Sequence, residues 1–420
     1  MVEVLALQPE DLAILDLECP TIVGHTCKLV RLAPGPVDVA ALRQRVASRI
    51  DEVPILTRRL GGSATARMWV VDESFDIARH IGPADVPAPL DDDSLAALVA
   101  DLFARHLPRD RPLWRMDVAP LADGGVVVIW RLHHALADGT TALRWAKALL
   151  WDEVTARAAP PTPTRSARMA ADVVHDEARR RWQLAGFLTR EFSEGGPSPF
   201  DGHVGTRREV GFATVSISKL HTAAHRIGRA TVNDALLSIV AGAIRRWVEA
   251  QHGRLDDIRV RVPVSLHHEA DGAGNRDSFF SLNLPLHEAD PVARLREIHA
   301  ATQRRKHFGD AEREDLLLSE LAHVPSLSRF VTRLQASPRQ FALCVSNVPG
   351  PRAPVSVLGV PVQSLAGLAE IGRRHALRVA AVSLGDEMSL GFCADPAIVV
   401  DVRLMAAAAA TEATELISAG

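Results

Sequence analysis

Residues 133–139 read His-His-Ala-Leu-Ala-Asp-Gly, and what flanks them constrains the fold more than any other feature of the chain. The Asp123-Gly-Gly125 turn feeds Val126–Leu132, a near-continuous apolar run. Such a run is expected of a strand buried on both faces. Thr140–Leu150 after the motif reads as a helix. The seven residues therefore mark a strand end where a helix begins, a favoured position for chemistry in layered α/β proteins. An isolated His-His pair before an Asp-Gly turn reads as two surface residues; the context shifts this one towards a site. Gly139 suits either a close backbone approach or a positive φ.

Helix and strand signals alternate through residues 1–155. Asp38 can cap a helix over Val39–Ile50, and Trp69–Val71 and Leu113–Val118 read as strands. Ala159–Ala167 is rich in Pro and Thr, a charged helix-like stretch follows over Met169–Phe192, and Gly195–Gly205 is irregular. The division expected is an N-terminal domain over 1–157, a linker over 158–205 and a C-terminal domain over 206–420. A chain of 420 residues suits two such cores. Beyond the linker, Thr231 caps an apolar helix running to about Glu249, and Ile258–Leu266 alternates as a half-buried strand. Phe341–Val345, Ala376–Leu384 and Met388–Phe392 are further strands, the last two joined at Gly385-Asp386 as a hairpin.

A formal net charge of −3 argues against nucleic acid as a partner. Cys19, Cys27, Cys344 and Cys393 lack metal-like spacing and read as buried free thiols. Met1–Leu17 carries four acidic residues and no Lys or Arg, unlike a secretory signal, and no apolar run reaches the length of a membrane span. The expectation is a cytoplasmic chain with at most peripheral contact to a membrane or lipid droplet.

The His133–Gly139 string resembles the HHxxxDG signature of acyltransferases with the chloramphenicol-acetyltransferase-like fold. Further segments resemble the bacterial wax ester synthase/diacylglycerol acyltransferase family, in that family's order. They are Leu7–Thr21, Arg111-Pro-Leu-Trp114, Ser198-Pro-Phe-Asp-Gly202, Thr231-Val-Asn-Asp-Ala-Leu-Leu237, Val262-Pro-Val-Ser-Leu266, Gly274-Asn-Arg276 with Leu284-Pro285, and Ser346-Asn-Val-Pro-Gly-Pro351. The chain departs from the family where Ser383-Leu-Gly385 lacks an aromatic, and where Arg373, Arg374 and His375 stand among usually apolar neighbours. The resemblance implies two similar α/β domains, with mixed sheets, flanking helices and a channel at their interface. It implies acyl-CoA as co-substrate, a lipid or alcohol acceptor, and no permanently bound cofactor or metal.

Ester formation from a thioester needs a base for the alcohol proton, and neutral imidazole suits that task. The resemblance assigns the base to His134, with His133 in support. Asp138 can orient an imidazole, but the superfamily implies a mainly structural role, paired with an arginine. Asn233, in the first turn of the helix capped by Thr231, is the candidate oxyanion donor, the alternative being that Asn233 and Asp234 only terminate the helix. Pro112-Leu113-Trp114 reads as packing. Arg304-Arg-Lys-His307 reads as a solvated basic face that can also meet coenzyme A phosphates or anionic lipid.

Three other readings compete. A condensation enzyme shares the histidine string but draws on carrier-protein thioesters. A lipid-binding protein would use the scaffold without catalysis. A metallohydrolase would need His133, His134 and Asp138 on one ion, which adjacent strand residues disfavour by pointing to opposite faces.

Overall fold

The computed structural model describes residues 4–63, 66–152, 198–265, 277–308 and 340–420. The linker residues 158–197, the helix expected over Met169–Phe192, Leu266 and the Gly274–Arg276 loop lie outside the described residues, as do the side chains of Lys306 and His307.

The apolar run is strand β7 (Val126–His133), buried from Val127 onward. It is central because both its faces are hydrophobic. Strands β2 (His25–Leu32) and β6 (Trp114–Pro120) pair antiparallel on its two sides. One face of the sheet, with Cys27, Leu29, Val127 and Ile129, joins a core that includes helix α3 (Asp92–Phe103). The other, with Val30, Leu32, Val128 and Trp130, packs on α2 (Val39–Ala47) and α4 (Gly139–Leu149). Strand β5 (Ile81–Pro83) closes one edge.

The opposite edge departs from the division read from the sequence. Strands β12 (Ser356–Val357) and β13 (Val360–Ala369), assigned by position to the 206–420 domain, complete the N-terminal sheet. Strand β13 pairs antiparallel with β2, from Ala369↔Thr26 to Val362↔Leu32. An unpaired β2 edge would leave a row of backbone donors and acceptors open, and β13 covers it.

The second sheet runs β10 (Asp277–Pro285), β9 (Asp257–Ser265), β11 (Leu343–Val348), β14 (Leu377–Leu384), β15 (Glu387–Ala394) and β8 (Glu209–Ser216). Helices α5 (Ile217–Gly228), α6 (Val232–Gln251), α7 (Pro291–Phe308) and α8 (Val402–Ala419) belong to this half. Residues of α6 and α8 share one core with Val260, Val345, Val379 and Leu390. Alternation then turns Arg261, Cys344, Arg378 and Cys393 to the opposite face. The hairpin expected at Gly385-Asp386 forms, with Leu384 opposite Glu387. A small sheet orders β1 (Val4–Ala6), β4 (Ala66–Val71) and β3 (Arg58–Ser63), and α1 (Pro9–Leu17) follows β1 in the chain.

A buried ion pair ties the two halves. Arg208 donates from Nε to Glu370 Oε1 at 3.0 Å and through its guanidinium to the carbonyls of Thr21 and Gly205. Glu370 Oε2 in turn accepts from the Val23 N–H at 3.2 Å. Every strong acceptor and donor here is matched, which is what makes the burial tolerable. Replacing Glu370 with Ala strands the Arg208 charge, and a loss of about 3–5 kcal/mol is expected. The denaturant midpoint of the variant checks this; an unchanged midpoint would show the pair to be dispensable.

Candidate active site

Strand β7 ends at His133, and the two histidines part there. His133 is 1% exposed. Its Nδ1 accepts from the Ala135 N–H at 3.2 Å, so Nε2 carries the proton and faces Glu18 Oε2 at 3.2 Å. Burial, with the positive charge of Arg109 next, pushes the His133 pKa down to about 3. His133 is thus neutral and locked in one tautomer. Gly24, at φ +70°, lies against the ring; a Cβ there would come 2.7 Å from Nε2.

His134 is half-buried, with Nδ1 sealed from solvent. Its N–H donates to the Gly24 carbonyl at 2.8 Å, which fixes the loop to β2. Burial first, then the Arg378 charge, lowers its pKa to about 4, against a smaller opposing pull from Asp138. At neutral pH the ring is uncharged and can accept a proton.

Asp138 is buried and serves as N-cap of α4, its Oδ1 accepting from the Thr141 N–H at 2.6 Å. Its charge also bears on Lys28, a lysine of β2 that is only 4% exposed and whose pKa burial lowers to about 8. Gly139 has no positive φ, which leaves close approach as its reason. A Cβ on it would meet Val348 Cγ2 of β11 at 2.8 Å and Lys28 Nζ at 3.5 Å. The glycine lets the helix after the histidine motif abut the C-terminal half.

Glu18 was not singled out from the sequence. It meets His133, His106 Nδ1 at 2.8 Å and the Arg109 guanidinium together. It belongs to the short turn after α1, and nothing local in Leu17-Glu-Cys19 announces partners some 90 to 115 residues on. The signal available was only its place inside the family-like opening segment.

Asn233 is half-buried in the first turn of α6. Helix termination is done by its neighbours: Thr231 and Asp234 form the full capping box. Asp234 is held further by His299 Nδ1 at 2.9 Å and Thr302 Oγ1 at 2.6 Å. Trp114 is buried and donates to the Leu56 carbonyl at 2.7 Å, a packing role. Leu113 O accepts from the His133 N–H at 2.9 Å, so that segment also braces the motif. The four cysteines are free thiols, Cys19 partly exposed and the others buried. Among the described residues no cluster of three His, Cys, Asp or Glu can hold a metal ion. A surface cleft of about 460 Å³ opens between α3 and β8, lined by Ala97, Ala100, Arg207 and Arg403. No residue of the histidine motif lines it.

Two family profiles match the chain. The wax ester synthase/diacylglycerol acyltransferase catalytic domain matches residues 7–193, and the WS/DGAT C-terminal domain matches residues 273–416. The chain belongs to the wax ester synthase/diacylglycerol acyltransferase family. It is an O-acyltransferase of that family. A Mycobacterium tuberculosis protein named probable diacylglycerol O-acyltransferase tgs1 is 28% identical over 367 residues, covering 81% of this chain and 79% of the relative. The wax ester synthase/diacylglycerol acyltransferase from Marinobacter aquaeolei superposes with a TM-score of 0.72 at 19% identity, over 98% of both chains. The starter condensation domain of rhizomide synthetase, solved with C8-CoA and Leu-SNAC, gives 0.60 at 16% identity, over 99% of this chain and 93% of that one. The two-domain chloramphenicol-acetyltransferase-like fold expected from the sequence is the fold observed.

Removing the Glu18 carboxylate leaves the His133 and Arg109 donors without their shared acceptor. Glu18→Ala is expected to lower stability by about 1–3 kcal/mol, the cost of unsatisfied buried donors. Thermal melting together with turnover checks it; a variant unchanged in both would remove Glu18 from the site.

Proposed function

We propose that this family member transfers a fatty acyl group from coenzyme A to the hydroxyl of diacylglycerol or a long-chain alcohol, with His134 as general base. The observation that carries the reading is the state of His134: neutral, half-buried, pinned through its backbone to Gly24, and against the C-terminal half. Names of the relatives support the acceptor class, and the CoA-bound condensation domain supports the donor.

In this reading His134 Nε2 takes the hydroxyl proton as the alcohol oxygen attacks the thioester carbonyl. The new C–O bond forms while the carbonyl π pair moves to oxygen. Collapse of the tetrahedral intermediate breaks the C–S bond, and the imidazolium returns its proton to the departing thiolate. Ester and free thiol are the products, and no external oxidant or reductant is needed. His133 holds the loop in place through Glu18, and Asp138 starts the helix behind it. Asn233, its side chain uncommitted to the cap, supplies the oxyanion donor in this scheme. Acyl-CoA binds as substrate rather than as a resident group. We place the chain in the cytoplasm with transient contact to lipid surfaces; no single described helix is long and apolar enough to cross a membrane.

His134→Ala is expected to cut turnover by roughly 10²–10⁴-fold, the usual contribution of a general base. Purified protein, palmitoyl-CoA and a panel of alcohols and glycerides, followed by thiol release and product mass, provide the test. Wild-type turnover in a folded variant overturns the reading. The pH profile adds a second check. The base works when deprotonated, and a pKa near 4 keeps it so down to mildly acid conditions. The acid limb of kcat/KM is therefore expected near pH 4 rather than near the ordinary histidine value of about 6.5. A limb at the ordinary value means that the reacting imidazole is a solvated one.

A further inference from the structure

The face of the C-terminal sheet turned away from its helices carries an unusual row. Register places Ser281 of β10 opposite Arg261 of β9, Arg261 opposite Cys344 of β11, Cys344 opposite Arg378 of β14, and Arg378 opposite Cys393 of β15. Opposed residues share a face, so two arginines stand two strands apart, about 10 Å, on one surface. That surface meets the N-terminal half: Val348, on the Cys344 side of β11, touches Gly139, and the Arg378 charge reaches His134.

Arg378 is poorly matched there. Among the described residues its one hydrogen bond is to the Glu370 carbonyl at 3.3 Å, and its Nε, shut off from solvent, makes none. The Glu370 carboxylate is already taken by Arg208 and by the N–H groups of Val23 and Ile371. Among the described residues Arg378 forms no ion pair with a carboxylate. The neighbouring Arg261 is braced, its guanidinium 3.8 Å from the centre of the Phe279 ring and 4.1 Å from that of Phe341. His375, only 7% exposed, stacks on the other part of this group at Phe341, and its buried Nε2 also lacks a hydrogen-bond partner. Arg378 is half-buried, and a guanidinium nitrogen and an imidazole nitrogen shut off from solvent without a hydrogen bond are costly unless a ligand completes them.

We propose that Arg378, with Arg261 beside it, forms an anion-binding subsite next to His134, so that the acceptor this enzyme favours is a hydroxyl-bearing lipid with a carboxylate or phosphate near the hydroxyl. The proposal rests on His134 as the site of transfer and narrows the acceptor beyond neutral alcohols. A planar guanidinium fork suits either anion. The phosphates of coenzyme A are not the target, since they lie a pantetheine length from the thioester that must reach His134.

Matched acceptors test it, with palmitoyl-CoA as donor. 3-Hydroxyhexadecanoic acid is compared with its methyl ester, and lysophosphatidic acid with monoacylglycerol; the two pairs separate carboxylate from phosphate. Wild-type kcat/KM is expected to favour at least one anionic partner by about tenfold or more, chiefly through KM, as for a hydrogen bond to a charged group. Arg378→Gln should bring that ratio close to one. Arg378→Lys, which keeps a point charge without the fork, should fall between. Arg373→Gln, an exposed change outside the row, should keep the wild-type ratio. Binding gives a readout independent of turnover: hexadecyl phosphate, which has no hydroxyl to acylate, should bind about tenfold more weakly to Arg378→Gln than to wild type. A wild-type enzyme indifferent to the charge in both pairs overturns the proposal. So does equal hexadecyl phosphate binding by wild type and variant. The base reading fails separately, by turnover surviving in His134→Ala, and that outcome leaves the binding comparison standing.

Discussion

Strand β13 is hydrogen-bonded to β2 along its length, while the chain on either side of it builds the other sheet, in β11 and in β14. This double attachment means the halves are not two beads on a string. The N-terminal sheet cannot be completed without residues 356–369, and the seam between the sheets is held wherever those residues enter and leave. Glu370, directly after β13, then anchors Arg208 and the Val23 N–H, so the segment leading into Gly24 is tied down from the C-terminal side. Gly24 in turn carries the loop of His134 and leaves room for the His133 ring.

Burial sets the electrostatics of the site. Both histidines are kept neutral by desolvation, with cations of the surroundings pushing the same way: Arg109 for His133 and Arg378 for His134. Their surroundings differ in purpose. His133 has both nitrogens committed and is a fixed piece of structure. His134 is half-buried and is held through its backbone N–H to the Gly24 carbonyl. An imidazole that begins neutral and sits near a cation resists becoming imidazolium. The same cation favours negative charge developing beside it, so the balance depends on where the substrate's charge lies.

Two of the charged residues that go inside pair with a carboxylate and a carbonyl. Arg131 reaches Asp117 and the Leu102 carbonyl, and Arg294 reaches Glu412 and the Ser238 carbonyl. Arg378 differs in having no carboxylate partner among the described residues: its guanidinium, half-buried, meets the Glu370 carbonyl alone. The seam is thus polar on the side of the second sheet and apolar within each core. That division suits a site where a polar head must react while its hydrocarbon stays out of water.

Much of this was legible in residues 123–150. A long apolar run admits one reading as a central strand, Asp138 and the run after it admit one reading as a capped helix, and the histidines follow at the junction. Capping by Asp38 and by Thr231 was equally local and formed as read, with Asp234 completing a capping box at the second site. Strand β2 was hidden because His25, Lys28 and Arg31 interrupt its apolar pattern; the sheet tolerates them by giving His25 the Phe103 carbonyl and placing Lys28 near the Asp138 charge. Strand β13 could be seen as no more than extended chain, since which sheet it joins depends on an open edge more than 300 residues earlier. Glu18, Lys28 and Arg378 come near the histidine motif only through tertiary structure. By itself the sequence determined the strand–histidine–helix junction and the family, because periodicity, capping and motif spacing act over a few residues. Which distant charges surround that junction was decided by the packing of the two sheets, because burial and Coulomb interactions depend on proximity in space and not on position in the chain.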